Sequence, residues 1–186
     1  MGNKIRIFGF GGSFRKGSYT KALLHAAKEL VPEDAELEIF DIGGIPLFNQ
    51  DLEKNMPAEV RRFKDGIKAA DAVLISTPEY NYSVPGFLKN AIDWASRPYN
   101  DNSFEDKPVA VMSGSGGTFG GSRAQYHLRQ MMVFLNAHMI NKPEVIVTFI
   151  NEKVSPEGVV TDQKTREKIK EMLEALVSWT NRLGRR

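Results

Sequence analysis

No cysteine occurs among the 186 residues. That absence excludes disulfide bridges, iron–sulfur clusters and thiol nucleophiles together, and it fits a cytoplasmic location. No apolar run reaches 18 residues, so no membrane span is expected. The opening "MGNKIRIFGFGG" lacks the long apolar core and small-residue cleavage site of a signal peptide. Arg6 stands where a myristoylation signal carries Ser or Thr. Charge of one sign is scarce too. Lys and Arg number 25 against 23 Asp and Glu, a net charge of +2 that predicts no nucleic-acid partner. The basic ending "NRLGRR" reads as a solvated helix end. The three histidines, His25, His127 and His138, share no metal-ligand spacing, so no metal site is expected.

What is present is an ordinary globular balance, 41% hydrophobic and 26% charged, in a length that suits one domain over residues 1–186 with a full core. Apolar runs and helical spacings alternate along the chain. Ile5–Phe10 reads as a strand. Leu23, Ala27, Leu30 and Val31 then recur at helical spacing up to Pro32. Ala35–Ile42 alternates as a second strand. A long loop, "GGIPLFNQDLEKNMP", leads to a helix over Pro57–Ala70 with Val60, Phe63 and Ile67 on one face. Asp71–Thr77 is a continuous apolar strand of the kind covered on both faces. A helix follows over Gly86–Ser96, and "PVAVMSG" is strand four. Leu128, Met131, Met132 and Leu135 mark helix four. "EVIVTFI" lies in strand five, with a start as early as His138 open to it, and Thr161–Leu183 forms the last helix. Strict βα alternation predicts a parallel sheet with helices on both faces. Right-handed crossovers gather the strand-to-helix loops at one edge, where ligands of such sheets bind.

Three of those loops are unusual. "GGSFRKGSYT" follows strand one and sets Ser13, Arg15, Ser18, Tyr19 and Thr20 around a helix start. Unpaired backbone N–H groups there attract an anion, and Arg15 can grip phosphate with a fork of donors. Capping alone explains Ser18, but not Ser13 and Arg15. The stretch has no Gly-Lys-Ser/Thr of a Walker loop and no third glycine of a dinucleotide loop, which leaves a terminal monophosphate. After strand three, "PEYNYSVP" brings Pro78, Glu79, Tyr80, Asn81 and Tyr82: stiff turns, flat faces and an amide edge. They either wall a planar ring or cover the sheet edge. After strand four, Ser113, Gly114, Ser115, Gly116 and Gly117 open a run with five glycines between Gly114 and Gly121, where backbone can approach a ligand closely. A flat ring at one end and a monophosphate at the other outline flavin mononucleotide (FMN). That ligand goes with the flavodoxin-like strand order 2-1-3-4-5.

At "GSFRKGSYTKAL", "IPLFNQDLE", "PEYNYSVPGFLKNAIDWASRP" and "GGSRAQYHLRQMMVFLNA" the sequence resembles the NADPH-dependent FMN reductase family, the flavodoxin-like quinone and chromate reductases. The resemblance runs from end to end. It implies a three-layer αβα sandwich around a five-stranded parallel sheet, FMN as cofactor, and NADPH or NADH as co-substrate. It also implies a small-molecule electron acceptor of quinone, chromate, ferric or azo type, and a homodimer or homotetramer. Ser13, Arg15, Ser18 and Thr20 are then the phosphate set, with Asn common in the family where Thr20 stands. Pro78 to Tyr82 wall the ring, and Ser113 to Gly117 form the opposite loop. The flavin carries the redox chemistry, so no side chain is named as acid or base. A flavodoxin-type electron carrier without a substrate of its own is the competing reading. Such carriers tend to be acidic, whereas this chain is slightly basic. A flavin-free regulator on the same fold is a third. Arg97 reads as a surface residue, and Gln125, Tyr126 and Arg129 as one side of helix four.

Overall fold

The computed structural model describes residues 4–184; residues 1–3 and 185–186, which carry part of the N-terminal and basic C-terminal stretches read above, lie outside it. The elements alternate as expected: β1 (Ile5–Gly11), α1 (Tyr19–Leu30), β2 (Ala35–Phe40), α2 (Ala58–Ala69), β3 (Ala72–Thr77), α3 (Gly86–Ala95), β4 (Pro108–Gly114), α4 (Ser122–Phe134), β5 (His138–Met139), β6 (Val145–Val147) and α5 (Gln163–Gly184). All strand pairs are parallel, in the order β2-β1-β3-β4-β5. The central strand β3 is buried at every position because both faces are covered.

Side chains of successive strand residues point to opposite faces, and the two faces differ. On one, Ile7, Leu74 and Met112 pack against Leu23 of α1 and Leu173 and Leu176 of α5. On the other, Phe8, Phe10, Ile75 and Val111 meet Phe63 of α2, Leu88 of α3 and Leu128 of α4. Phe10 and Phe63 sit edge to face at 4.9 Å, a geometry aromatic pairs favour. Gly66 lets α2 lie close to the sheet, since a Cβ there would collide with the Phe8 ring.

The sheet has six strands rather than the expected five. The single strand expected to contain "EVIVTFI" and to begin as early as His138 is split: its later part is the three-residue β6, which pairs with Met112–Gly114 at the far end of β4. His138–Met139 pair separately with Pro108–Val109. Residues 140–144 leave the sheet between them, and Pro143 has no N–H to offer a ladder there.

The amino ends of the strands are closed by internal polar contacts. Lys64, 3% exposed, donates to the carbonyls of Ala95, Arg97 and Asp101 at 3.1, 2.5 and 2.7 Å. Burial holds its pKa below the ordinary value, and the nearby Asp101 opposes that shift. Lys107 donates to the carbonyls of Lys68 and Ala70 where α2 ends. The long loop after β2 is likewise fastened. Trp94 Nε1 and Asn90 Nδ2 both donate to the Pro46 carbonyl at 2.9 Å, and Asn90 Oδ1 accepts from Phe48 N–H at 2.7 Å. Arg97 is a correction to the sequence reading. It is half of a largely buried ion pair with Glu53 at 2.6 Å, with the two side chains 14% and 13% exposed.

Candidate functional site

The loops after β1, β3 and β4 meet at the carboxyl ends of the strands. The first runs into the N-terminus of α1. Ser18 has extended backbone, and its hydroxyl accepts from Lys21 N–H at 3.2 Å, so it is the cap. Its Oγ lies 3.1 Å from Thr20 Oγ1. Ser13, Ser18 and Thr20 are all buried. The first turn of α1 contains no acidic residue, so the positive end of the helix dipole faces no carboxylate of its own turn. Arg15 folds back over this turn. It donates to Gly17 O at 2.6 Å, and its guanidinium lies 4.7 Å from the Tyr19 ring centre. Phe14 stacks on Phe87 at 4.0 Å, which ties the loop to α3.

The loop after β3 ends in a two-residue turn. Tyr80 and Ser83 exchange both backbone hydrogen bonds at 2.9 Å, and between them Asn81 (φ 51°) and Tyr82 (φ 65°) are left-handed. Such tight hairpin turns demand positive φ at both positions. Asn adopts it readily; Tyr does not, because its Cβ crowds the backbone. Contacts from α4 offset that strain. The Arg123 guanidinium stacks on Tyr82 at 3.6 Å and on Phe119 at 4.4 Å. Ser83 Oγ lies 2.9 Å from His127 Nδ1. Glu79 makes the strongest link. Its carboxylate accepts from Arg123 Nε at 2.6 Å and from the backbone N–H groups of Arg123 and Ala124 at 3.1 and 3.4 Å. It therefore covers the N-terminus of α4, whose cap residue Gly121 has no side chain to do so.

The glycine-rich loop after β4 is pinned rather than slack. Ser113 is fully buried; its hydroxyl donates to Gly120 O at 2.7 Å and accepts from Gln125 Nε2 at 3.0 Å. Gly121, at φ 84°, crosses so close that a Cβ would lie 2.8 Å from Ser113 Cβ. Ser115 N–H donates to Val147 O, and its carbonyl accepts from Ile150 N–H, both at 3.1 Å.

Together the loops enclose a cleft of about 260 Å³. Ser13, Arg15, Ser18, Tyr19 and Thr20 line one end, Pro78, Glu79 and Tyr80 one wall, and Gly114, Ser115 and Gly116 the other. Four residues of the sequence-based set lie outside this lining. Ser113 is turned into the protein, Asn81 and Tyr82 sit at the tip of their turn, and Gly117 is exposed, with open space around its Cα. Two further residues, Arg123 and His127, not marked by any sequence motif, hold the loop after β3 from one turn to the next of α4. Their spacing of four residues was visible, but their partners lie 44 residues away. Gln125 and Tyr126 do not share a side of α4: Gln125 is buried and Tyr126 exposed. Among the described residues no group of three His, Cys, Asp or Glu could hold a metal, and no helix is long and apolar enough to cross a membrane.

Comparison with known proteins points in one direction. The sequence profile of the NADPH-dependent FMN reductase family matches residues 5–152. An NAD(P)H-dependent FMN reductase of Pseudomonas aeruginosa is 49% identical over 184 residues, which covers 98% of this chain and 99% of the relative. An NAD(P)H:quinone oxidoreductase of Solanum tuberosum is 47% identical, covering 92% and 91%. Among solved structures, the flavoenzyme NAD(P)H:(acceptor) oxidoreductase FerB of Paracoccus denitrificans superposes with a TM-score of 0.88 at 38% identity, covering 96% and 98%.

Proposed function

The chain belongs to the NADPH-dependent FMN reductase family, and from that membership we propose that the cleft between the three loops is its flavin site. The protein is a flavodoxin-like NAD(P)H-dependent oxidoreductase with FMN as cofactor. One observation carries the assignment of the site: the N-terminus of α1 opens on the cleft with three buried hydroxyls and no acid in its first turn. A terminal phosphate suits that end, where its charge meets the helix dipole and unpaired N–H groups.

The residues fit the group. Ser13, Ser18 and Thr20 offer hydroxyl donors, Tyr19 and Thr20 offer the first helical N–H groups, and Arg15 adds a charge-assisted bond. Pro78, Glu79 and Tyr80 wall the ring on one side, while Gly114, Ser115 and Gly116 allow close backbone approach on the other, with Gly117 continuing their loop outside the cleft. Asn81 and Tyr82 shape the turn that carries Tyr80, and Ser113 anchors the opposite loop. Bound there, FMN supplies the redox chemistry, taking a hydride from the nicotinamide and passing it to an acceptor. The side chains bind, orient and exclude water; none is assigned as acid or base.

The acceptor we propose is quinone-like, which the likeness to the plant quinone oxidoreductase supports; chromate, ferric complexes and azo compounds share its chemistry of accepting electrons at an exposed flavin. We read the chain as one cytoplasmic domain that assembles as a homodimer or homotetramer. Tyr126, Val133 and Phe134, 56%, 79% and 86% exposed on α4, support a covered face. Two measurements test the reading. Steady-state NADPH oxidation with a quinone should far exceed the rate of free FMN; an equal rate would leave only an electron carrier. Arg15→Ala should weaken FMN binding by about 2 kcal/mol in a fluorescence titration, and unchanged affinity would refute the phosphate role.

A further inference from the structure

We propose that the flavin site continues into an adenylate-binding groove, so that the protein also accepts flavin adenine dinucleotide (FAD), with the AMP half between α1 and residues 151–158. The inference rests on the cleft being the flavin site. A second groove of about 720 Å³ adjoins that cleft, and the two share Arg15, Ser18 and Tyr19. The groove therefore meets the cleft where the phosphate end of the flavin is assigned, on the side away from Pro78–Tyr80, and its Asn151 lies beside Gly116 of the opposite loop. A ligand that runs from one space to the other past the shared Arg15, Ser18 and Tyr19 extends through that phosphate, as a dinucleotide does.

The lining has what an adenylate requires. Val154 and Pro156 give an apolar wall for a flat base, and Asn151 gives an amide edge beside it. Arg15, Lys16 and Lys21 give positive charge for a second phosphate. Lys21 is held only loosely, 3.8 Å from Asp41, with both side chains well exposed. The lining holds one carboxylate, Glu157, whose pKa the neighbouring Ser155 hydroxyl lowers, so it stays charged and the three cations outnumber it. His25 lines the far part of the groove, about 10 Å along α1 from Ser18.

That distance supplies the test. Apoprotein is titrated with FMN and with FAD and followed by flavin fluorescence, for the natural chain and for His25→Glu, a change at an exposed position. FAD should bind within about tenfold of FMN. His25→Glu should weaken FAD by about fivefold or more by replacing the imidazole that the adenosine would meet, while leaving FMN unchanged. FAD binding more than about 100-fold weaker than FMN, or equal losses for both flavins in the variant, would overturn the groove and leave the FMN site standing. A higher KM for NADPH in the FMN-loaded variant with unchanged FAD affinity would also overturn it, since the groove would then serve the coenzyme. Failure of both flavins to bind the natural chain would overturn the flavin site itself, and the groove with it.

Discussion

Two helices, α1 and α4, begin at the same end of the sheet, and they treat the positive end of the helix dipole in opposite ways. At α4 the chain supplies its own anion. Glu79 reaches across from the loop after β3, and its carboxylate accepts two backbone N–H groups and an Arg123 side-chain N–H. Its side chain is 7% exposed, so this anion is fixed in place. At α1 the chain supplies only hydroxyls: Ser18 caps the turn, Thr20 touches Ser18, and no carboxylate enters the first turn. The difference separates structure from function. An N-terminus that folding has already neutralised cannot hold a phosphate; one left electropositive beside a cleft can.

The sharpest way to break the contrast is to give α1 what α4 has. Asp caps a helix about as well as Ser, so Ser18→Asp should keep the melting temperature. It places a carboxylate where the phosphate is assigned, and FMN affinity should fall about 100-fold, or about 3 kcal/mol, by like-charge repulsion. A calorimetric binding isotherm with FMN reads this directly, and retained affinity would show that the phosphate lies elsewhere. The converse change removes the anion from α4. Glu79→Gln leaves Arg123 without its ion pair and sets an amide N–H₂ against a guanidinium. Urea unfolding should show a loss of about 2 kcal/mol. Because the same contacts hold the strained Tyr82 turn, the absorption spectrum of bound flavin should shift as well.

Much of this was legible in the sequence. The βα alternation, the three unusual loops and the helix start at Ser18 are local signals, carried by neighbouring residues. What stayed hidden depends on partners far along the chain. Glu79 read as part of a ring wall, and its role at α4 requires knowing that Arg123 lies against it. Arg97 read as a surface cation because Glu53, its partner, is 44 residues back. Lys64 resembles any lysine of an amphipathic helix, and the carbonyls that hold it leave no mark in side-chain type. The split of the fifth strand into β5 and β6 depends on which part of β4 each piece meets, which apolar content does not reveal.

A third helix start gives the smallest and most specific test. At α5, Asp162 Oδ2 accepts from the Thr165 hydroxyl at 2.6 Å and from Thr165 N–H at 2.8 Å. These bonds hold the Asp162 carboxyl below its ordinary value of 3.8. A carboxylate with a lower pKa in the folded chain stabilises the fold above its unfolded pKa, and that contribution is lost as pH falls through the folded value. Asp162→Ala should therefore cost about 1 kcal/mol near neutral pH, and the gap between variant and natural chain should narrow in acid. The Ser18 hydroxyl of α1 does not titrate, so any cost of Ser18→Ala should stay constant over the same range. Denaturant midpoints of both variants from neutral to acid pH distinguish a helix start capped by a charge from one capped by a hydroxyl. A parallel acid dependence in the two would remove the electrostatic distinction between α1 and its carboxylate-capped counterparts.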